Sequence, residues 1–161
     1  MNAVKMLKQQ HREVEKLFEK FEAAKSPDRR RKVFEEIADA LAVHAAIEER
    51  HFYPGVKKRQ TEDLLLESVE EHLEIKRVIA DLLHAEPQDD TFDAKVKVLQ
   101  EDVEHHVEEE EKELFPKVEK LIDDEELEAI GAAMEETAKE LESAGDPRLA
   151  VPGETAAAAP V

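Results

Sequence analysis

Four stretches of the 161-residue chain place an apolar side chain every three or four positions, and each interrupts that stripe with histidine. The stripes are Val4, Leu7, His11, Val14, Phe18 and Phe21; Val33, Ile37, Leu41, His44, Glu48 and His51; Leu65, Val69, His72, Ile75, Ile79 and Leu82; and Phe92, Val96, Leu99, Val103, His106 and Glu110. Three-four spacing puts side chains on one helical face. Short breaker clusters separate the stripes. Ser26-Pro27 reads as an N-cap followed by a first-turn proline. Pro54–Thr61 ends the second stretch, Glu86–Thr91 is a turn with Thr91 or Asp90 as the next cap, and Pro116 reads as the fourth stop. Helices joined by short turns predict an all-α, up-down-up-down four-helix bundle. Asp123 and Glu126, spaced as a capping box, open a fifth helix to about Ser143, expected to be shorter and laid against one end. The bundle is assigned to residues 1–143. Residues 144–161, ending in the Pro/Ala-rich DPRLAVPGETAAAAPV, are expected to be disordered.

The polar interruptions carry the chemistry. His11, His44, Glu48, His72, His106 and Glu110 occupy core positions, where an unpartnered carboxylate or imidazole costs several kcal/mol. HAAIEERHFYP (His44–Pro54) and HVEEEEKELFP (His106–Pro116) share His, Glu four residues on, an aromatic nine on and Pro ten on. Residues equidistant from a hairpin turn lie at one height. His11 and His44 centre on the Ser26-Pro27 turn, His44 and His72 on residue 58, and His72 and His106 on residue 89. All four histidines therefore share a layer, with each glutamate one turn, about 6 Å, from its histidine. Four imidazoles and two carboxylates converging there fit two metal ions bridged by the carboxylates. A solvated His/Glu helix-face pair is the plainer reading of each motif alone; the stripe positions argue against it.

Composition narrows the classes. With no cysteine, disulfides, thiolate-held clusters and thiol chemistry are excluded. A formal net charge of −18 repels nucleic-acid phosphates and anionic lipid, so neither is an expected partner. The N-terminus has no apolar signal core and no apolar run approaches membrane length, so a soluble, cytoplasmic protein is expected.

QHREVEKLF, HAAIEERHFYP, EEHLEIKRVIADL and HVEEEEKELFP, followed by DDEELEAIGAAMEE, resemble the hemerythrin-like (HHE cation-binding) family over about residues 1–143. The resemblance implies a four-helix bundle with a non-haem di-iron centre. His11, His44, His72 and His106 match the terminal imidazole ligands. Glu48 and Glu110 match the carboxylates that, with an oxo or hydroxo group, bridge the irons. The family's oxygen carriers have a further histidine four residues after the one in the third helix; here that position is Lys76. The ligand set then leaves both ions short of full coordination, which suits activation or decomposition of a small oxidant better than protected oxygen carriage.

His51, seven residues after His44, and Tyr53, the only tyrosine, are the side chains that could add a ligand; a rim histidine and a packed tyrosine are the plainer alternatives. Tyr53 could also donate an electron. His84 and His105 fall off the stripes. Of Glu108–Glu111, only Glu110 should point inward. The expected activity is peroxide decomposition or a nitric oxide peroxidase-type reaction. Reversible oxygen binding, oxygen or iron sensing, iron buffering, and a structural bundle with a stabilising zinc or no metal are the alternatives. Expected partners are small molecules: dioxygen, peroxide and nitric oxide.

Overall fold

The computed structural model describes residues 1–161 as an all-helical chain without strands. Its elements are α1 (Ala3–Ala23), α2 (Pro27–Ile47), a π-helical turn (Glu48–Phe52), α3 (Tyr53–Gly55), α4 (Glu62–Leu83), α5 (Asp90–Glu109), a second π-helical turn (Glu110–Leu114), α6 (Phe115–Leu121), α7 (Asp124–Ala144) and a 3₁₀ segment (Pro147–Glu154). No helix is long and apolar enough to cross a membrane. The helix starts show their causes. The Asn2 side chain accepts from Val4 N at 2.8 Å, Ser26 Oγ from Arg29 N at 3.1 Å, and Asp123 from Glu126 N at 2.9 Å. The start of α5 differs from expectation: Asp89, not Thr91 or Asp90, is the N-cap residue, and its side chain makes no capping bond.

The long helices α1, α2, α4 and α5 form the bundle, and their shared core is split. One apolar cluster includes Leu7, Ile47, Val69 and Leu114; the other includes Val14, Leu41, Ile75 and Val103. On each helix the layer histidine falls between these two sets, so the polar layer sits between two dry ends.

Three expectations are corrected. Pro116 does not stop its helix, which runs on as α6 to Leu121, whereas the second stretch does end within Pro54–Thr61, just after Pro54 at Gly55. Each proline follows a π-turn, in which the Glu48 carbonyl accepts from Tyr53 N–H and the Glu110 carbonyl from Phe115 N–H. This wider turn lets the chain pass a proline without the clash it would meet with the carbonyl four residues earlier. The fifth helix, α7, is not short. It has 21 residues, as many as α1, and packs along α1, α2 and the first π-turn. Gly131 makes that approach feasible, because a Cβ there would collide with the Met1 carbonyl. Residues 144–161 are not a disordered tail. After Gly145, at φ 84°, the 3₁₀ segment lies over α2 and α4 and buries Val151. Arg148 pairs with Glu35 at 2.7 Å and Asp39 at 3.1 Å, and Arg77 donates to the Thr155 carbonyl at 3.1 Å. Pro147 and Pro152 limit the backbone freedom that must be given up on ordering, which is why so few anchors suffice.

Candidate metal centre

The π-turns also explain the spacing in the repeated motif. A five-residue closure brings residues i and i+5 nearly above one another, so Tyr53 follows Glu48, and Phe115 follows Glu110, into the interior. Tyr53, Phe115, Glu48 and Glu110 are all at most 1% exposed. His11, His44, His72 and His106 are buried with them.

The six side chains meet. His11, His44, Glu48 and Glu110 offer ligand atoms within 4.8 Å of one another, as do Glu48, His72 and His106, and Glu48 belongs to both groups. Each group could hold one ion. Nε2 of His72 lies 2.9 Å from Glu48 Oε2 and 3.1 Å from His106 Nε2. His106 Nε2 and His11 Nε2 each stand 3.3 Å from Glu110 Oε1, and His44 Nε2 stands 3.1 Å from Glu48 Oε1.

The opposite ring nitrogens form a closed circuit. Nδ1 of His44 bonds Gln10 Oε1 at 2.6 Å, Nδ1 of His72 bonds Glu49 Oε2 at 2.7 Å, Nδ1 of His106 bonds Glu71 Oε1 at 2.8 Å, and Nδ1 of His11 bonds Glu111 Oε2 at 2.9 Å. Each helix or π-turn thus steadies the histidine of the next element, and the last returns to the first. Such bonds keep the proton on Nδ1 and turn the Nε2 lone pair inward, the arrangement of metal-ligating histidine. Sequence reading missed Gln10, Glu49, Glu71 and Glu111. Their signal was adjacency: each is one residue from a layer position, on the helix flank that meets the neighbour. Glu111 is therefore not merely an outer-face charge.

A metal pair fits the donors. His11 Nε2, His44 Nε2, Glu48 Oε1 and Glu110 Oε1 are buried and make no hydrogen bond despite their proximity. Buried polar atoms in folded proteins nearly always have partners, and cations would satisfy all four. Without metal, protons take part of that role. Burial lowers the His106 pKa, but the charge of Glu110 and the nearby carboxylates of Glu110, Glu48 and Glu71 outweigh it and hold the ring well above 6.5. Burial raises the Glu48 pKa, but the charge of His44 and the His106, His44 and His72 rings around the carboxylate hold it well below 4.5.

Tyr53 lies against the centre. Its hydroxyl is 3.0 Å from Glu110 Oε2, 3.1 Å from Glu48 Oε2 and 3.2 Å from His72 Nε2. Burial, then the charges of Glu110 and Glu48, push its pKa well above 10, so without metal it is a neutral donor. His51 is placed elsewhere: its Nε2 bonds Thr137 Oγ1 of α7 at 2.7 Å. Lys76 is buried, with Nζ 2.9 Å from Glu49 and 3.0 Å from Glu154. His84 and His105 are exposed. A cavity of about 60 Å³ opens onto all four layer histidines and has mainly apolar walls, among them Val14, Leu41, Ile75 and Val103.

A helical bundle with a buried histidine–carboxylate layer of this kind defines a class, the bundle proteins built around a cation site. The chain belongs to the hemerythrin family: the domain described as Hemerythrin HHE cation binding domain matches residues 2–118. It is similar to the crystal structure of a Hemerythrin HHE cation binding domain-containing protein from Mycobacterium kansasii, with a TM-score of 0.77 and 25% identity over 94% of this chain and 97% of that one. It is also 28% identical over 128 residues to a DNA nickase of Nostoc sp. (strain PCC 7120 / SAG 25.82 / UTEX 2576), covering 80% of this chain. The match spans only 36% of that nickase.

Proposed function

We propose that this chain is a non-haem di-iron protein acting on small oxidants, decomposing hydrogen peroxide and turning over nitric oxide with peroxide. His11, His44, His72 and His106 would hold the ions through Nε2, and Glu48 and Glu110 would bridge them. Mixed nitrogen and oxygen donors suit iron. Bound iron would supply the redox exchange by which one peroxide is oxidised to dioxygen and a second is reduced to two waters. The chain's part is to fix the imidazoles through the Nδ1 circuit, offer the Tyr53 hydroxyl beside both carboxylates, and restrict water in the apolar cavity.

The observation that carries this reading is Lys76. Its ammonium is engaged by Glu49 and Glu154, so it adds no ligand where an oxygen carrier has histidine. The ligand set stays at four imidazoles and two carboxylates facing a cavity. Tyr53 is the side chain best placed to add a phenolate ligand or an electron. The second reading, reversible oxygen binding, is favoured by the apolar walls of that cavity. The nickase likeness supports no DNA-cutting reading, because a net charge of −18 opposes a phosphate backbone.

The test is anaerobic loading with ferrous iron, followed by metal analysis and exposure to oxygen, peroxide and nitric oxide. The proposal expects peroxide consumption with dioxygen release and no stable oxygen adduct. A reversible oxygen adduct without peroxide turnover would establish the second reading instead.

A further inference from the structure

The cavity over the histidines is lined on one side by residues that lie outside the matched family domain. Pro147, Ala150, Val151 and Glu154 line it, beyond the match at residues 2–118. Two clamps hold this stretch. At one end, Arg148 bonds Glu35 at 2.7 Å and Asp39 at 3.1 Å on α2, and its backbone N–H donates to Asp39 at 2.9 Å. At the other, Glu154 lies 3.0 Å from Lys76 Nζ, which also bonds Glu49, the carboxylate that holds His72 Nδ1. Between the clamps Val151 is only 2% exposed and packs into the apolar cluster.

We propose that Pro147–Glu154 is the size-selecting wall of the substrate cavity, with Val151 as the residue that sets the limit. The inference rests on the reading that small oxidants meet the metal ions in this cavity. A space of about 60 Å³ holds only a few water-sized molecules, so hydrogen peroxide, dioxygen or nitric oxide should enter it more readily than a branched alkyl hydroperoxide. Packed interiors do not yield freely to an oversized guest. A wall fixed by ion pairs at both ends and filled by one β-branched side chain therefore discriminates by size. The four histidines bind the ions; this segment decides what reaches them.

The test uses the full-length protein with Val151→Ala, Val151→Phe and Arg148→Ala. In iron-loaded protein, the rate with tert-butyl hydroperoxide is divided by the rate with hydrogen peroxide. Val151→Ala should raise that ratio by about tenfold or more, the usual scale for methyl-sized changes in a pocket. Arg148→Ala should raise it in the same direction, and stands in if a Val151 variant does not fold. In metal-free protein, xenon bound in the cavity is followed by ¹²⁹Xe NMR: the wild type should show it and Val151→Phe should lose it. An active enzyme whose ratio does not move in Val151→Ala or Arg148→Ala overturns the proposal, whatever xenon does. A xenon signal untouched by Val151→Phe also overturns it. A wild type inert to both peroxides, but with xenon displaced by Val151→Phe, leaves the wall standing and removes the peroxide reading alone.

Discussion

The first repeat, His44 to Pro54, and the second, His106 to Pro116, bend through the same π-turn, begun at Glu48 in one and Glu110 in the other. They differ in the aromatic residue just past the turn. Tyr53 sets a hydroxyl against Glu48, Glu110 and His72. Phe115 instead stacks its ring on His11, with centroids 5.9 Å apart and planes 7° from parallel. Their flanks differ too: His51 is tied to Thr137 of α7, while the corresponding Glu113 is exposed. A duplicated hairpin thus gives two similar ligand sets inequivalent surroundings, polar beside His72 and apolar beside His11. The two ions of the proposed centre should not be chemically equal.

The largest effect is expected where the repeats are joined. Glu48 belongs to both ligand groups and Glu110 to one. Glu48→Ala should therefore lose both ions, whereas Glu110→Ala, which also removes a proposed bridge but leaves the Glu48–His72–His106 group whole, should weaken the His11–His44 ion more than the other, as read by metal analysis after dialysis. Equal losses from the two variants would break the asymmetry.

Metal removal comes next. Ions bound only by the folded chain stabilise it by about 4 kcal/mol at a thousandfold excess over their dissociation constant, so melting should rise clearly on loading. The metal-free protein should also carry a pH signature. The raised His106 pKa contributes stability below 6.5 that is lost as pH rises through its folded value. The depressed Glu48 pKa contributes stability above 4.5 that is lost as pH falls. Metal-free melting should peak between these limits, and loading should relieve the alkaline loss, because the ions replace the protons on Nε2.

Tyr53→Phe makes the first repeat chemically like the second. The metal-free protein should lose about 1–2 kcal/mol, since a buried hydroxyl leaves two carboxylates with one partner fewer. The loaded protein should keep both ions while peroxide turnover falls by about tenfold. Smallest of all, His51→Ala removes one hydrogen bond to α7 and should cost about 1 kcal/mol with metal content unchanged. A lost ion in that variant would make His51 a ligand after all.

The helical stripes, the shared level of the histidines and two helix caps could be read from sequence because each rests on local periodicity or on distance from a turn. The π-turns could not. Proline after an aromatic ordinarily reads as a helix end, and only the inward position of Tyr53 and Phe115 shows the extra residue. The C-terminal segment was missed because its composition looks unable to pay for order. Its anchors, Asp39 and Lys76, are distant in sequence. The Nδ1 partners were hidden among abundant glutamates, where composition does not distinguish a solvated carboxylate from one that holds a ring.

The proposed centre requires two inequivalent ions within one histidine–carboxylate layer. Mössbauer spectroscopy of protein loaded with ⁵⁷Fe tests this, with iron quantified in the same sample. It should show two irons per chain in two environments of equal weight, and Tyr53→Phe should shift the environment beside His72 while leaving the other in place. One iron per chain, or two that remain indistinguishable before and after the substitution, would contradict it.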